Sequence, residues 1–263
     1  MRRIIFLLFQ TVLLLLFSYT PIVFADNTIG VPILVYHNFD PSKRGSMTIS
    51  TRKFESQMQW LKVNGYTIIP LMKLVDYLQG KLTALPPKSI VITADDGRES
   101  VYKYMLPIVR KYQIPVTLFI YPEVISHASY ALTWDQLKGL QKTGLFSVEG
   151  HTYWHPNFKE EKRHLSEEAY QKLVHVQLFN SKAILEKKLD TPITLLAWPF
   201  GIYDNYLENE AKKAGYAMAF SIHWGNANRA KQVMAEPRYM MVEDQSMKTF
   251  EAIVEGRVQG KKN

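Results

Sequence analysis

The sequence contains no cysteine, and this absence excludes several kinds of chemistry at once. Disulfide bonds, thiolate metal sites, a cysteine nucleophile and a lipoprotein anchor all require that residue. The glycine-rich loops GxGxxG and GxxxxGK[ST] are absent as well, which argues against a nucleotide-binding protein. Internal repeats and low-complexity tracts are also lacking, while 47% of the residues are hydrophobic and 21% are charged. This composition is typical of a folded globular protein and not of a disordered one.

The longest apolar run lies at the N-terminus of the chain. Two arginines precede an almost wholly apolar stretch from Ile4 to Phe17. The segment Val23–Ala25 then offers small residues at the expected cleavage positions. This is the layout of a secretory signal peptide. The apolar stretch is shorter than the roughly 20 residues that span a bilayer, although an uncleaved membrane anchor is the alternative. We predict a signal peptide at 1–25, a mature domain at 26–263, secretion to the cell envelope or beyond, and no stable membrane span after cleavage.

The chain is basic, with a formal net charge of +8 at pH 7. Its lysines and arginines are scattered along the sequence and do not form a cluster. Such a charge would hold an exported protein near anionic cell-wall polymers, although a merely soluble surface explains it equally well. Without a basic cluster, we expect no nucleic-acid partner.

Beyond residue 31, short apolar runs alternate with longer amphipathic patterns, and no Pro/Gly/Ser-rich linker divides them. Several short runs are nearly continuous in Val, Ile, Leu and Phe, as in parallel strands that are covered on both faces. Repeated alternation of strand and helix predicts one α/β domain, either a barrel or an open doubly wound sheet. The predicted strands are Pro32–His37, Ser89–Asp95, Val116–Tyr121, Phe146–Gly150, Leu195–Trp198 and Ala217–Ile222.

The intervals between these strands carry helix signals. A first helix begins near Ser50, and a second apolar stripe contains Pro107, where we expect a kink. Residues Thr133–Gln136 form a capping-box pattern at the start of another helix. One long charged helix is predicted from Ser166 to about Leu189, and Asp204 is the expected cap of the next.

Two adjacent carboxylates, Asp95 and Asp96, end the predicted strand Ser89–Asp95 and precede Gly97. Two carboxylates buried together are costly, because like charges raise each other's proton affinity. A cation bound to one of them would remove that cost. A solvated turn is the alternative, since Asp-Gly is a common turn pair.

Two histidines, His151 and His155, follow the predicted strand Phe146–Gly150. They can approach one metal ion if the backbone turns helically between them, and histidine is the commonest metal ligand among side chains. Two unrelated loop histidines are the alternative. Thr152 stands where the glutamate of an HExxH zinc motif would be, so that class of metalloprotein is excluded.

A third cluster, rich in aromatic residues, extends from Ala197 to Asp204. Aromatic faces stack on sugar rings, so a carbohydrate groove is one interpretation, and ordinary core packing is the other. All three clusters lie at the C-terminal ends of predicted strands, where α/β barrels build their active sites. An Asp and two His would leave coordination positions open for water and substrate, as catalytic metals require.

These motifs resemble those of the polysaccharide deacetylases, carbohydrate esterase family 4. Asp95–Gly97 resembles the family's TFDDG signature, His151–Pro156 its H[ST]xxHP metal motif, and Trp198–Gly201 its third motif. The resemblance covers about Val31 to Val242, with the motifs in matching order. The opening block VPILVYHNF, which contains His37, is most similar to the branch of the poly-β-1,6-N-acetylglucosamine deacetylases.

The resemblance implies one distorted parallel (β/α) barrel of about seven strands, with 26–263 as its catalytic domain. It implies hydrolysis of the N-acetyl groups of an N-acetylglucosamine polymer, such as poly-N-acetylglucosamine, peptidoglycan or a chitin-like chain, to acetate and free amine. The implied cofactor is a divalent metal, by default zinc, with cobalt, nickel or manganese also able to serve. Its expected ligands are Asp96, His151 and His155.

The resemblance also assigns roles around the metal. Asp95 is the expected base, His37 the acid for the leaving amine, and the backbone N–H of Phe200 a donor to the oxyanion. The third motif lacks the family's arginine that orients the base, and Arg238 is a candidate substitute. A late LxH motif is missing, and His223 is the nearest but less favoured alternative to His37. The expected substrate-binding residues are Trp198, Pro199, Tyr203 and Arg238.

Other functions use parts of the same pattern. An O-acetyl esterase acting on xylan or another acetylated glycan would need the same site, and a non-catalytic carbohydrate-binding relative would be expected to lack a ligand or the base. A glycosidase needs two carboxyl groups facing each other across the sugar, whereas neighbours on a strand point apart. Fe(II) oxygenases also use two His and a carboxylate, but an HxxxH spacing in a secreted parallel α/β chain disfavours them.

Overall fold

A computed structural model describes residues 30–42, 45–229 and 233–258. The predicted signal peptide at 1–25 lies outside the described residues. In the part of the chain that the structure describes, no helix combines the length and apolar character needed to cross a membrane.

A curled parallel sheet forms the centre of the molecule. Its seven main strands follow the order β10-β1-β5-β6-β7-β8-β9, every neighbouring pair is parallel, and β4 pairs with β5 beside this path. The sheet strands are β1 (Ile33–Tyr36), β4 (Thr67–Ile68), β5 (Ser89–Asp95), β6 (Val116–Ile120), β7 (Phe146–Gly150), β8 (Leu195–Ala197), β9 (Met218–Phe220) and β10 (Tyr239–Met240). A separate parallel pair consists of β2 (Asn38–Asp40) and β3 (Thr48–Ser50).

The chain between β9 and β10 joins the two edges of this sheet. The N–H of Ser221 donates to the carbonyl of Glu236 at 2.8 Å, and the N–H of Glu236 donates to Ala219 at 2.9 Å. A few residues later, β10 pairs with β1 at the opposite edge. The sheet therefore curls towards closure, and the predicted distorted parallel (β/α) barrel of about seven strands in a single domain is confirmed.

Helices fill the connections between the strands. Three of their N-caps are among those that the sequence indicated: Ser50 accepts from the N–H of Lys53, Thr133 and Gln136 form a reciprocal capping box, and Asp204 accepts from the N–H of Leu207. The helices are α1 (Thr51–Val63), α2 (Leu71–Leu78), α3 (Leu106–Tyr112), α4 (Trp134–Lys142), α5 (Phe158–His164), α6 (Glu167–His175), α7 (Ser181–Leu189), α8 (Asn205–Lys213) and α9 (Met247–Val254).

Two of the predicted helices contain a π-helical turn. Val101–Met105 winds as a π turn immediately before α3, so the irregularity expected at Pro107 lies at the start of that helix. The long helix predicted from Ser166 to Leu189 consists of α6, a π turn at Val176–Asn180, and α7. A π turn widens the helix by one residue and is frequently found at functional sites.

The strands are buried on both faces, as their continuous apolar runs indicated. All seven residues of β5 are buried, and successive residues of a strand contribute to opposite faces of the sheet. In β1, for example, Ile33 packs into one buried cluster with Val91 and Phe220, whereas Leu34 packs into the larger cluster shared with the helices. Since every strand of the curled sheet points the same way, the three clusters that follow β5, β7 and β8 meet at one rim.

Candidate metal centre and its surroundings

The carboxylates of Asp95 and Asp96 diverge because the backbone reverses at the end of β5. Asp96 and Gly97 have φ values of 74° and 68°, in the left-handed region. A Cβ at Gly97 would lie 2.9 Å from Cδ1 of Ile125, so both the positive φ and this contact favour a residue without a side chain. Asp95 is therefore held in the interior, with 2% of its surface exposed, while Asp96 faces the rim.

A short loop after β7 brings the two histidines together. Thr152 and His155 have φ values of 64° and 63°, and a non-glycine residue in this region carries strain of about 1–3 kcal/mol. The hydroxyl of Thr152 accepts the backbone N–H of His155 at 3.2 Å, which closes the loop on itself. The imidazole rings of His151 and His155 consequently lie 4.7 Å apart, centroid to centroid.

Asp96, His151 and His155 converge on one point. Oδ1 of Asp96 lies 3.6 Å from Nε2 of His151 and 3.8 Å from Nε2 of His155, and the three donor atoms all lie within 4.8 Å of one another. Two imidazole nitrogens and one carboxylate oxygen suit zinc and its divalent neighbours. By contrast, His127 bonds the carbonyl of Glu123, and His175 stacks on Phe179, so both are engaged elsewhere.

Neighbouring groups set the protonation of this cluster. Nδ1 of His151 lies 2.7 Å from the carbonyl oxygen of Ala197, which can only accept a hydrogen bond, so Nε2 is the ring nitrogen that faces Asp96. Burial, followed by the adjacent His151, lowers the pKa of His155 to about 4. Burial opposes ionisation of Asp96, but the hydrogen bond from His151 and the charges of the histidines outweigh it and lower the pKa of Asp96. At neutral pH, Asp96 is ionised and His155 is neutral, as metal ligands must be.

Asp95 is paired with Arg238 in the interior. The guanidinium donates to both carboxylate oxygens, at 2.9 Å to Oδ1 and 2.7 Å to Oδ2, while its Nε donates to the carbonyl of Ser221 at 3.0 Å. Burial alone would raise the pKa of Asp95, but the charge of Arg238 overrides it and the net shift is downward. Arg238 thus orients a charged Asp95, which is the role expected of the arginine that the third motif lacks.

The same geometry corrects the expectation that Arg238 binds substrate. Arg238 is 0% exposed, its guanidinium is bonded to Asp95, Thr93 and Ser221, and it packs over the ring of Phe119. A side chain that is fully covered in this way has no surface left for a polymer. Its contribution to the site passes through Asp95.

Trp198 is a second correction. Its side chain is 0% exposed, and its indole N–H donates to the carbonyl of Met234 at 2.8 Å, so no ring face is available to a sugar. Pro199 is buried as well, and only Tyr203 among these three is partly exposed. The aromatic ring at the surface is that of Phe200, which is 56% exposed and stands edge-on to His155 with centroids 4.6 Å apart. Phe200 itself has a φ of 55° within the turn Pro199–Gly201.

His37 follows β1 and lies under the influence of both carboxylates. Burial lowers its pKa, and the charges of Asp95 and Asp96 partly oppose that shift. Its Nδ1 is buried and has no hydrogen-bond partner among the described residues. His223 is exposed and packs near Tyr203, with ring centroids 5.7 Å apart. Of these two histidines, His37 is the one that the structure places with the Asp pair.

Two further residues border the cluster and were not anticipated. The ring of Tyr121 lies 5.5 Å from that of His155, and Nε of Arg98 lies 3.9 Å from Oδ2 of Asp96. Arg98 also lies over the ring of Tyr130, 4.8 Å from its centroid. Tyr121 could have been found from the sequence, because it directly follows β6 and the other clusters were located at strand ends. The contact of Arg98 with Asp96 depends on the fold, and no sequence pattern indicates it.

Comparison with known proteins agrees with this geometry. The sequence model of the family described as "Polysaccharide deacetylase" matches residues 83–219, more than half of the chain and all three motifs. The chain belongs to the polysaccharide deacetylase family. A Bacillus subtilis (strain 168) protein provisionally named as a polysaccharide deacetylase, YxkH, is 29% identical over 226 residues, which cover 86% of this chain and 76% of that protein.

Two other relatives extend the comparison. The poly-beta-1,6-N-acetyl-D-glucosamine N-deacetylase of Escherichia coli (strain K12) is 23% identical over 257 residues, covering 84% of this chain but 38% of that protein. The chain thus spans less than half the length of this relative. The solved structure of the Streptococcus pyogenes deacetylase PplD in complex with acetate superposes with a TM-score of 0.75 at 22% identity, over 86% of this chain and 98% of the other. At that identity, the superposition establishes a shared fold.

Proposed function

We propose that this chain is an exported, metal-dependent deacetylase that removes N-acetyl groups from an N-acetylglucosamine polymer. The observation that carries the proposal is the convergence of Asp96, His151 and His155 beside a second carboxylate, Asp95, that is buried and ionised. Family membership fixes the type of reaction, and the poly-N-acetylglucosamine deacetylases among the relatives indicate the polymer. Export rests on the signal-peptide pattern of residues 1–25.

Asp96, His151 and His155 would hold a divalent cation. When bound, such a cation supplies the positive charge that polarises an amide carbonyl and lowers the pKa of water. Zinc is the first candidate, because a His₂–carboxylate set leaves a coordination position open in its catalytic sites.

The residues of the chain itself supply the proton transfers. Asp95 takes a proton from the attacking water, and Arg238 holds its carboxylate in one orientation. The backbone N–H of Phe200, within the turn after β8, donates to the oxygen that becomes negative. His37, in its protonated form, then gives a proton to the sugar nitrogen as the C–N bond breaks. The water oxygen leaves in acetate, and the sugar keeps a free amine.

Exposed aromatic rings border this site and suit a sugar polymer. Phe200 is 56% exposed beside His155, and Trp154, which is 39% exposed, belongs to the loop between the two histidines. Their faces can pack against the apolar faces of sugar rings near the residue that loses its acetyl group. Phe200, together with the partly exposed Tyr203, replaces Trp198 as the aromatic contact for substrate.

The test is mass spectrometry of products after incubation with zinc-loaded protein. Oligomers of N-acetylglucosamine with β-1,6 and β-1,4 linkages and acetylated xylan are compared under identical conditions. We expect loss of acetyl groups from the amino-sugar oligomers, greatest for the β-1,6 linkage. Acetate release from xylan alone would replace the proposal with an O-acetyl esterase, and no release from any substrate would support a non-catalytic carbohydrate-binding protein.

A further inference from the structure

The loop that carries the two histidines is hydrogen-bonded to the π-helical turn between α6 and α7. Oε1 of Gln177 accepts two successive backbone N–H groups, from Tyr153 at 2.9 Å and from Trp154 at 3.1 Å. One turn further along, the hydroxyl of Ser181 donates to the carbonyl of Thr152 at 2.6 Å. Three consecutive residues between His151 and His155 are therefore fixed by two side chains of one helical segment.

Both of these side chains are completely buried. Gln177 and Ser181 are 0% exposed, and they lie among the apolar residues Val174, Leu178 and Leu185 on the inner face of the helical segment. A glutamine in such a position is costly unless its polar atoms are bonded. Its Nε2 has no partner among the described residues, so the acceptor Oε1 makes both of the hydrogen bonds that hold the amide.

The loop needs this support because its backbone is strained. Thr152 and His155 both have positive φ, and a β-branched residue such as Thr152 is especially disfavoured there. Such conformations persist only where surrounding contacts determine them. Among the described residues, two further hydrogen bonds restrain the middle of the loop: the one from the N–H of His155 to the hydroxyl of Thr152, and one from the N–H of Glu123 to the carbonyl of Tyr153, both of 3.2 Å. The π turn is the feature that presents Gln177 to the loop, since it occupies Val176–Asn180.

We propose that Gln177, assisted by Ser181, is a positioning residue that preforms the metal-binding geometry of His151 and His155. It touches neither the metal nor the substrate, and it acts by fixing the peptide groups between the two ligands. This inference rests on the proposed metal site, and it predicts a property of the metal-free protein: the loop is already in its binding conformation.

The chain offers a matched pair of substitutions at this position. Gln177→Met keeps the length and volume of the side chain but removes the acceptor. Gln177→Glu keeps an acceptor oxygen in the same place and replaces only the unpartnered nitrogen. Gln171→Met is the control, because Gln171 lies on α6 in the same helical segment but is exposed and bonded only to Glu167 among the described residues.

The measurement is zinc affinity, determined by isothermal titration of chelator-treated proteins whose circular dichroism is unchanged. Loss of a residue that orients metal ligands typically weakens binding by about 10–100-fold, and we expect that loss for Gln177→Met. Gln177→Glu should retain affinity within about threefold, and Gln171→Met should match the wild type. If Gln177→Met fails to fold, Ser181→Ala replaces it and should weaken zinc binding by a smaller factor.

Wild-type affinity in the folded Gln177→Met or Ser181→Ala protein would overturn the inference while leaving the proposed function intact. Equal losses in the Met and Glu variants would also contradict it, since the acceptor would then be irrelevant. A wild-type protein that does not bind zinc or any other divalent cation would remove both this inference and the proposed function.

Discussion

Removal of Arg238 is the perturbation whose energetic consequences follow most directly from the geometry. In Arg238→Met, the Asp95 carboxylate stays 2% exposed but loses two hydrogen bonds, of 2.9 and 2.7 Å, and its counter-charge. Breaking a buried ion pair by removing one partner costs about 3–5 kcal/mol, whereas an exposed pair contributes about 0–1 kcal/mol. We expect the free energy of unfolding of metal-free protein to fall by the larger amount at pH 7.

The pH dependence of that loss has a definite sign. In the wild type, the pKa of Asp95 is held below its ordinary value of 3.8, so the pair stabilises the protein above that pH and the stabilisation is lost as the pH falls through the lowered pKa. In Arg238→Met, the charge and hydrogen bonds that outweigh burial are removed, so the pKa of Asp95 rises relative to the wild type. Protonation of Asp95 then removes the buried, unpaired charge that destabilises the variant. The difference in stability between the two proteins should therefore shrink as the solution is acidified.

Urea denaturation at pH 7 and at mildly acidic pH measures both effects. The control is Lys172→Met, which removes an exposed pair with Glu168 and should leave the stability unchanged. In the double variant Asp95→Asn/Arg238→Met, part of the loss should be recovered, because the unpaired charge is gone. A loss below about 1 kcal/mol for Arg238→Met, or a loss that grows on acidification, would refute the argument that the pair is buried and ionised.

Three further predictions concern the site. Asp96→Asn should weaken zinc binding, while Asp95→Asn should keep the metal and lose about 10²–10⁴-fold in turnover. Metal analysis and acetate release distinguish the two variants. Equal metal contents in both would contradict the assignment of Asp96 as the ligand and Asp95 as the base. His37→Ala should lose far more activity on an N-acetyl sugar than on nitrophenyl acetate, whose leaving group needs no acid; equal losses would direct attention to His223. Gly97→Ala should reduce the unfolding free energy more than Gly144→Ala, because both have positive φ but only Gly97 has an atom within 4 Å of the added Cβ. Thermal unfolding decides this, and equal shifts would contradict the proposed contact with Ile125.

The sequence predicted those parts of the fold that local patterns encode. β5 and β7 have the predicted bounds, because both are apolar runs ended by polar residues or glycine, and the capping box at Thr133 forms as expected. β10 was missed, since its two residues, Tyr239 and Met240, carry no strand signal of their own. They become a strand only because β1 offers an edge for them to pair with.

The site was predictable to the extent that strand ends locate polar residues. The side-chain directions after the strands were not, and Trp198 shows why: its burial depends on the carbonyl of Met234, 36 positions later in the chain. Arg238 and Asp95 are separated by 143 positions, so only the closed fold reveals their pairing. Gln177 gives no motif at all, because its role depends on a helical irregularity that local propensity does not predict.

We propose that one metal ion, bound by Asp96, His151 and His155, gives this protein its deacetylase activity. The most direct test titrates zinc into chelator-treated protein and follows acetate release from a β-1,6-linked N-acetylglucosamine oligomer. We expect no release without metal and a rate that saturates at about one ion per chain, with Asp96→Asn requiring far more zinc. Full activity in the chelator-treated protein, or an unchanged titration for Asp96→Asn, would contradict it.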